Sequence, residues 1–207
     1  MIGTSHHHPG FASRFVEPRN VDVWLPPGYS PNRPDRFPVL YMHDGQNLFD
    51  SETSFAGEWE VDETLNSLSE QGYAVPIVVG IDNGSNYRID EYTPWMNPSY
   101  GGGQGEAYIN FIIETLKPYI DANYRTLTDQ SNTGIMGSSL GGRISQYGSL
   151  KNQEIFGKAG LFSPSYWFSD SIWAFTSAQG KQNSMKIYQL AGQLEGAQME
   201  AKMMQME

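Results

Sequence analysis

Cysteine is absent from all 207 residues, which excludes disulfide staples and thiolate catalysis alike while leaving the redox compartment open. Basic residues are scarce: 13 Lys and Arg stand against 23 Asp and Glu, for a formal net charge of −10. Such a surface field argues against a nucleic-acid backbone or an anionic membrane as partner and says little about a neutral ester. No apolar run approaches the ~20 residues of a membrane span. The opening Met1-Ile-Gly-Thr-Ser-His-His-His-Pro-Gly10 has neither the charged nor the apolar region of a signal peptide, so a cytoplasmic protein is expected. Histidine is also rare, with four in the chain. His6, His7 and His8 fall in a terminus that reads as flexible and offers no carboxylate or cysteine partner. No metal site and no cofactor are expected.

What is present points to a globular chain, 39% hydrophobic and 13% aromatic. At this length one domain over 1–207 is expected. Val21–Leu25, Phe37–Met42, Val75–Ile81, Asn132–Met136, Lys158–Phe162 and Lys186–Ala191 read as strands, several of them continuous apolar runs. Trp59–Ser69, Ala107–Ala122, Ser139–Leu150 and Ile172–Ala178 read as helices, with Pro118 placed to kink or shorten the second. Apolar strands alternating with helices predict an α/β fold, a mostly parallel central sheet with helices on both faces.

The most informative residues are Gly137-Ser138-Ser139-Leu140-Gly141, a G-x-S-x-G pattern between a predicted strand and a predicted helix. A serine at such a strand-to-helix turn is held in strained backbone with its hydroxyl exposed above the sheet, beside the positive end of the helix. The pattern names Ser139 as a nucleophile for acyl transfer. That reaction develops charge on the carbonyl oxygen, so it needs an oxyanion hole. In this fold one donor is the amide after the nucleophile, here Leu140. The loop His43-Asp44-Gly45-Gln46, at the end of an earlier strand, is placed to supply the second.

Tyr41-Met-His-Asp-Gly-Gln-Asn-Leu-Phe-Asp50, Arg88-x-x-Glu-Tyr-Thr-Pro94, Gly137-Ser-Ser-Leu-Gly-Gly142 and Phe162-Ser-Pro-Ser-Tyr-Trp167 together resemble the Putative esterase family. That family includes esterase D-like enzymes, feruloyl and acetyl xylan esterases, enterochelin esterases and mycolyltransferases. The resemblance runs from about Val21 to Glu195. It implies an α/β-hydrolase fold, Ser139 as nucleophile, and the amides of Gln46 and Leu140 as the oxyanion hole. By the same resemblance Glu195 is the acid on the loop after the late strand.

The base is the missing piece. The fold's chain order is Ser, then Asp or Glu, then His, and no histidine follows Glu195. The family would continue with a further strand, a histidine-bearing loop and a closing helix. The expectation is therefore a fold lacking its last strand and helix, in a chain truncated at its C-terminus. His43, the internal histidine, is expected to pack or hydrogen-bond beneath the site, with service as the base as the alternative. Met199, Met203 and Met206 would share one helical face, as core or interface residues.

For the substrate side, Trp59, Tyr92, Trp95, Tyr166, Trp167 and Phe168 cluster near predicted strand ends, and Asp44, Tyr166 and Trp167 are expected to line the pocket. Core or lid packing is the expectation for Trp59 and Tyr92, and a loop ion pair for Arg88 with Glu91. The sum is a serine carboxylesterase for short acyl or aryl esters, carbohydrate-linked ones included, with a small-molecule ester as its partner. A catalytically silent esterase-like binding module is the alternative.

Overall fold

The computed structural model describes residues 3–192 together with Glu195. Seven strands form one sheet: β1 (Thr4–Phe11), β2 (Arg19–Leu25), β3 (Val39–His43), β4 (Ile77–Ile81), β5 (Thr133–Ser138), β6 (Lys158–Phe162) and β7 (Lys186–Leu190). Their order is β1-β2-β4-β3-β5-β6-β7. The β1/β2 and β2/β4 pairs are antiparallel; from β4 across to β7 every pair is parallel. The α/β reading with a mostly parallel sheet holds.

The helices are α1 (Val61–Glu70), α2 (Arg88–Glu91), α3 (Gly105–Phe111), α4 (Lys117–Asn123), α5 (Leu140–Lys151) and α6 (Ser171–Gln179). The strand period of two splits the apolar residues between the sheet's faces. Tyr41, Val79 and Ile135 join Ile109, Leu116 and Ile144 of the helical layer. Met42 and Val78 face the other way, toward Leu48, Phe49 and the α1 residues Val61 and Leu65. None of the helices among the described residues is long and apolar enough to cross a membrane.

Two features differ from the sequence reading. The N-terminal segment is not a loose terminus but the edge strand β1, paired from Thr4↔Leu25 to Phe11↔Arg19. Its residues are mostly polar, so hydrophobic alternation gives no sign of it; backbone pairing with β2 makes it a strand. Pro118 does not end its helix either. Ile112–Leu116 adopt a π-turn between α3 and α4. A proline removes a backbone donor and crowds the preceding turn, and the wider π-turn accommodates both, so the chain stays helical from Gly105 to Asn123. The methionines at 199, 203 and 206 and the Gln193–Leu194 pair lie outside the described residues.

Candidate active site

Ser139 joins β5 to α5 with φ 59° and ψ −121°, a left-handed backbone that a side chain adopts only under constraint. Close approach explains the flanking glycine: a Cβ at Gly137 would sit 2.7 Å from the carbonyl carbon of Gly141 and 2.8 Å from Cδ2 of His43. The strain is held from the side. The Ser139 amide donates to Phe162 O at 2.9 Å, and the Ser165 amide donates to Ser139 O at 3.0 Å. The loop after β6 is thereby fastened to the elbow.

That loop supplies a residue the sequence reading missed. Ser165 is buried, and its hydroxyl shares a hydrogen bond of 2.9 Å with Ser139 Oγ. Its available signal was the Ser163-Pro164-Ser165 run at a strand end, on the same side of the sheet as the elbow.

Ser138 and Ser139 open into a pocket of about 330 Å³ shared with His43, Asp44, Asn47, Leu48, Phe55, Ala56, Trp59 and Arg88. Asn47 builds one wall: its Oδ1 accepts from the Phe55 amide at 3.1 Å and its backbone oxygen from the Trp59 amide at 2.9 Å. Trp59 both packs, edge-on to Phe162 at 5.5 Å, and faces this pocket.

Asp44 lines the same cavity, itself left-handed at φ 56°. Its carboxylate is fully engaged. Arg88 donates through Nε to Oδ1 and through Nη2 to Oδ2, both at 2.8 Å, and Asn83 Nδ2 reaches Oδ1 at 2.7 Å. Burial opposes the charge on Arg88, but the bonds and charge of Asp44 outweigh it and hold the guanidinium's pKa above its ordinary value. The anticipated Arg88–Glu91 pair is therefore corrected. Glu91 instead forms a bidentate pair with Arg19, both contacts at 2.7 Å and both side chains buried.

His43 sits beneath the elbow. Its Nδ1 and the Tyr108 hydroxyl are 2.8 Å apart, the Tyr92 ring packs beside it at 5.3 Å, and Nε2 is buried with no hydrogen-bond partner among the described residues. Burial pushes its pKa down to about 3, against the raising influence of Asp44. It is a neutral ring with no bond to Ser139, which fits packing beneath the site and not the base alternative. Tyr92 is buried too, and its hydroxyl accepts from the Asp44 amide at 3.1 Å.

The other predicted residues divide. Leu140 is the first residue of α5, whose opening amides have no partner within the helix. Gln46 lies in the short turn Gly45–Asn47, with its side chain in a neighbouring groove and its Oε1 accepting from the Asn83 amide at 3.3 Å. Glu195 accepts from the Ser163 hydroxyl at 2.7 Å and the Gly192 amide at 3.0 Å, and does not line the Ser139 pocket. Tyr166 is a correction: it is buried against Trp173 with its hydroxyl donating to Gln189 at 2.8 Å, because β7 offers that acceptor below the loop. Trp167 is exposed, edge-on to Tyr100 at 5.6 Å, outside the pocket lining. Trp95 and Phe168 instead cover the buried Arg143 guanidinium, at 5.5 and 5.2 Å.

As for cations, Glu58, Asp62 and Glu63 bring carboxylate oxygens within 4.8 Å of one another near the start of α1.

The chain is 29% identical over 202 residues to the uncharacterized protein YbbA of Bacillus subtilis (strain 168), a match covering 95% of this chain and 74% of that one. It is 27% identical over 157 residues to an endo-1,4-beta-xylanase/feruloyl esterase of Xylanibacter ruminicola, covering 74% of this chain and 20% of that protein. Its fold matches an IroE-like serine hydrolase from Shewanella oneidensis with a TM-score of 0.73 and 23% identity, over 90% of this chain and 60% of that one. The family described as Putative esterase matches residues 12–201, and the chain belongs to that family.

Proposed function

We propose that this protein is a serine carboxylesterase acting on short acyl or aryl esters through an acyl-enzyme on Ser139. The observation that carries the reading is the strained Ser139 at the β5–α5 turn, its hydroxyl in a pocket walled by Phe55 and Trp59. In this reaction Oγ attacks the ester carbonyl carbon and the carbonyl oxygen takes the negative charge. The C–O bond to the alcohol then breaks, and the alcohol leaves with the proton that Oγ gave up. Water hydrolyses the acyl-serine. The main-chain amides of Leu140 and Gln46 are assigned to the oxyanion, and Glu195 to the acid on the loop after the late strand. The likeness to a relative named as an endo-1,4-beta-xylanase/feruloyl esterase supports an aryl acyl group.

A second reading is favoured by one observation. Among the described residues Ser139 Oγ hydrogen-bonds the Ser165 hydroxyl and no imidazole, amine or carboxylate. A serine without a base describes a catalytically silent binding module. Serine hydrolases stripped of their triad keep roughly 10³–10⁴-fold acceleration over water from the oxyanion hole and binding alone, so weak turnover does not by itself separate the two.

Covalent labelling does. A serine-directed fluorophosphonate, read by intact mass, gives one adduct on the wild type and none on Ser139→Ala. An unlabelled wild type favours the silent module, and equal labelling of the variant removes Ser139 as nucleophile.

A further inference from the structure

The strongest unassigned constellation lies at the other end of the sheet from Ser139. Alternate residues of a strand point the same way, so His6 and His8 of β1 share a face while His7 takes the other. His7 Nδ1 is 2.7 Å from Asp22 Oδ1. His6 and His8 both turn to one atom, the Tyr124 hydroxyl just past the end of α4, with His6 Nδ1 at 3.1 Å and His8 Nε2 at 2.8 Å. The Tyr119 hydroxyl of α4 stands 3.4 Å from the remaining nitrogen of His8. The rings are set by packing: His8 lies edge-on to Tyr119 at 5.4 Å, and His6 is tilted on Tyr124 at 5.7 Å. The cluster borders an open groove of about 680 Å³ whose other walls include Tyr29 and Asn123.

Two imidazole nitrogens that both approach one phenol oxygen offer an N,N,O donor set, which suits a divalent first-row transition ion and not calcium or magnesium. We propose that His6, His8 and Tyr124 bind such an ion, with the imidazoles as the principal ligands and the phenol oxygen as a third. Tyr119 holds the second nitrogen of His8, in the way outer hydrogen bonds commonly orient a ligating imidazole. The ion replaces the shared hydrogen bonds with coordinate bonds and releases the phenol proton on coordination. It would clamp the edge strand β1 to the end of α4. The open groove gives the ion a path in and leaves coordination positions for water or a small anion.

Copper(II) tests this, because it stands at the top of the divalent affinity order. The full chain is titrated with Cu²⁺ alone near neutral pH, followed by calorimetry and electron paramagnetic resonance. The expected result is one tight equivalent with hyperfine structure from two imidazole nitrogens. His6→Gln and His8→Gln each weaken it at least tenfold. His7→Gln leaves it unchanged. Tyr124→Phe keeps the two-nitrogen signature with several-fold weaker binding, and circular dichroism confirms that each variant is folded. Weakening by His7→Gln equal to that of its neighbours would mean three histidines binding as a loose string and would overturn the proposal. So would copper binding that survives the His6→Gln/His8→Gln double variant.

Discussion

Within one pocket Ser139 and His43 are held by opposite means: the serine is strained and open, the histidine relaxed and sealed. The sealing has a cost that depends on pH. His43 has a folded pKa of about 3, against about 6.5 for a free histidine. As the pH falls below 6.5 the unfolded chain takes up a proton that the folded chain refuses. Stability is therefore lost on acidification, by up to about 1.4 kcal/mol per pH unit for this one group, and the loss continues toward pH 3. Urea unfolding measured at pH 7, 6 and 5 should show a steeper decline for the wild type than for His43→Asn. Parallel slopes would mean that the ring is protonated in the folded protein.

Among the elements, the apolar parallel strands were legible because they are buried on both faces and written as continuous runs; Lys158–Phe162 has the same bounds in sequence and structure. The strand β1 was illegible because its residues are polar and its partner, not its composition, makes it a strand. The charged residues illustrate the same limit. Arg88 and Glu91 are three apart and looked like a pair, yet their true partners, Asp44 and Arg19, are 44 and 72 residues away. The Ser139 turn was readable from a local motif, whereas Ser165 reaches it only through the β5/β6 pairing. The Arg19–Glu91 pair also makes a prediction. Glu91→Ala leaves a buried guanidinium between Tyr108 and Phe111 with its counter-charge gone and the Glu17 carbonyl as its remaining acceptor, and breaking such a pair costs about 3–5 kcal/mol. Replacing both partners, as Arg19→Met/Glu91→Leu, should recover most of that loss in chemical denaturation. A double variant no more stable than the single one would show that the pair is worth more than its mutual compensation.

At the scale of the molecule, the two faces of the sheet are covered unequally among the described residues. Helices α3 to α5 bury one face, while on the other the packing of α1 reaches β3 and β4. Beyond it, Leu40, Met136, Gly160 and Tyr188 line an apolar groove of about 590 Å³. Tyr188 is 59% exposed and Ile187 42% exposed on β7. An exposed apolar strand of this kind invites self-association. Ile187→Lys/Tyr188→Lys should lower both binding of an apolar dye and light scattering at high concentration, with little change in the thermal midpoint; unchanged scattering would place the sticky surface elsewhere. Long-range order at the opposite edge depends on angular phase. The π-turn at Ile112–Leu116 carries one residue more than an α-turn would, and each residue rotates a helix by about 100°. Shortened by that residue, α4 would be just as helical, yet Tyr119 and Tyr124 would face another quarter of the molecule. The N-terminal strand, 116 residues away from Tyr124 at His8, would lose the side chains that now meet it. A single inserted residue thus acts as the gear that aligns the first strand of the chain with its middle.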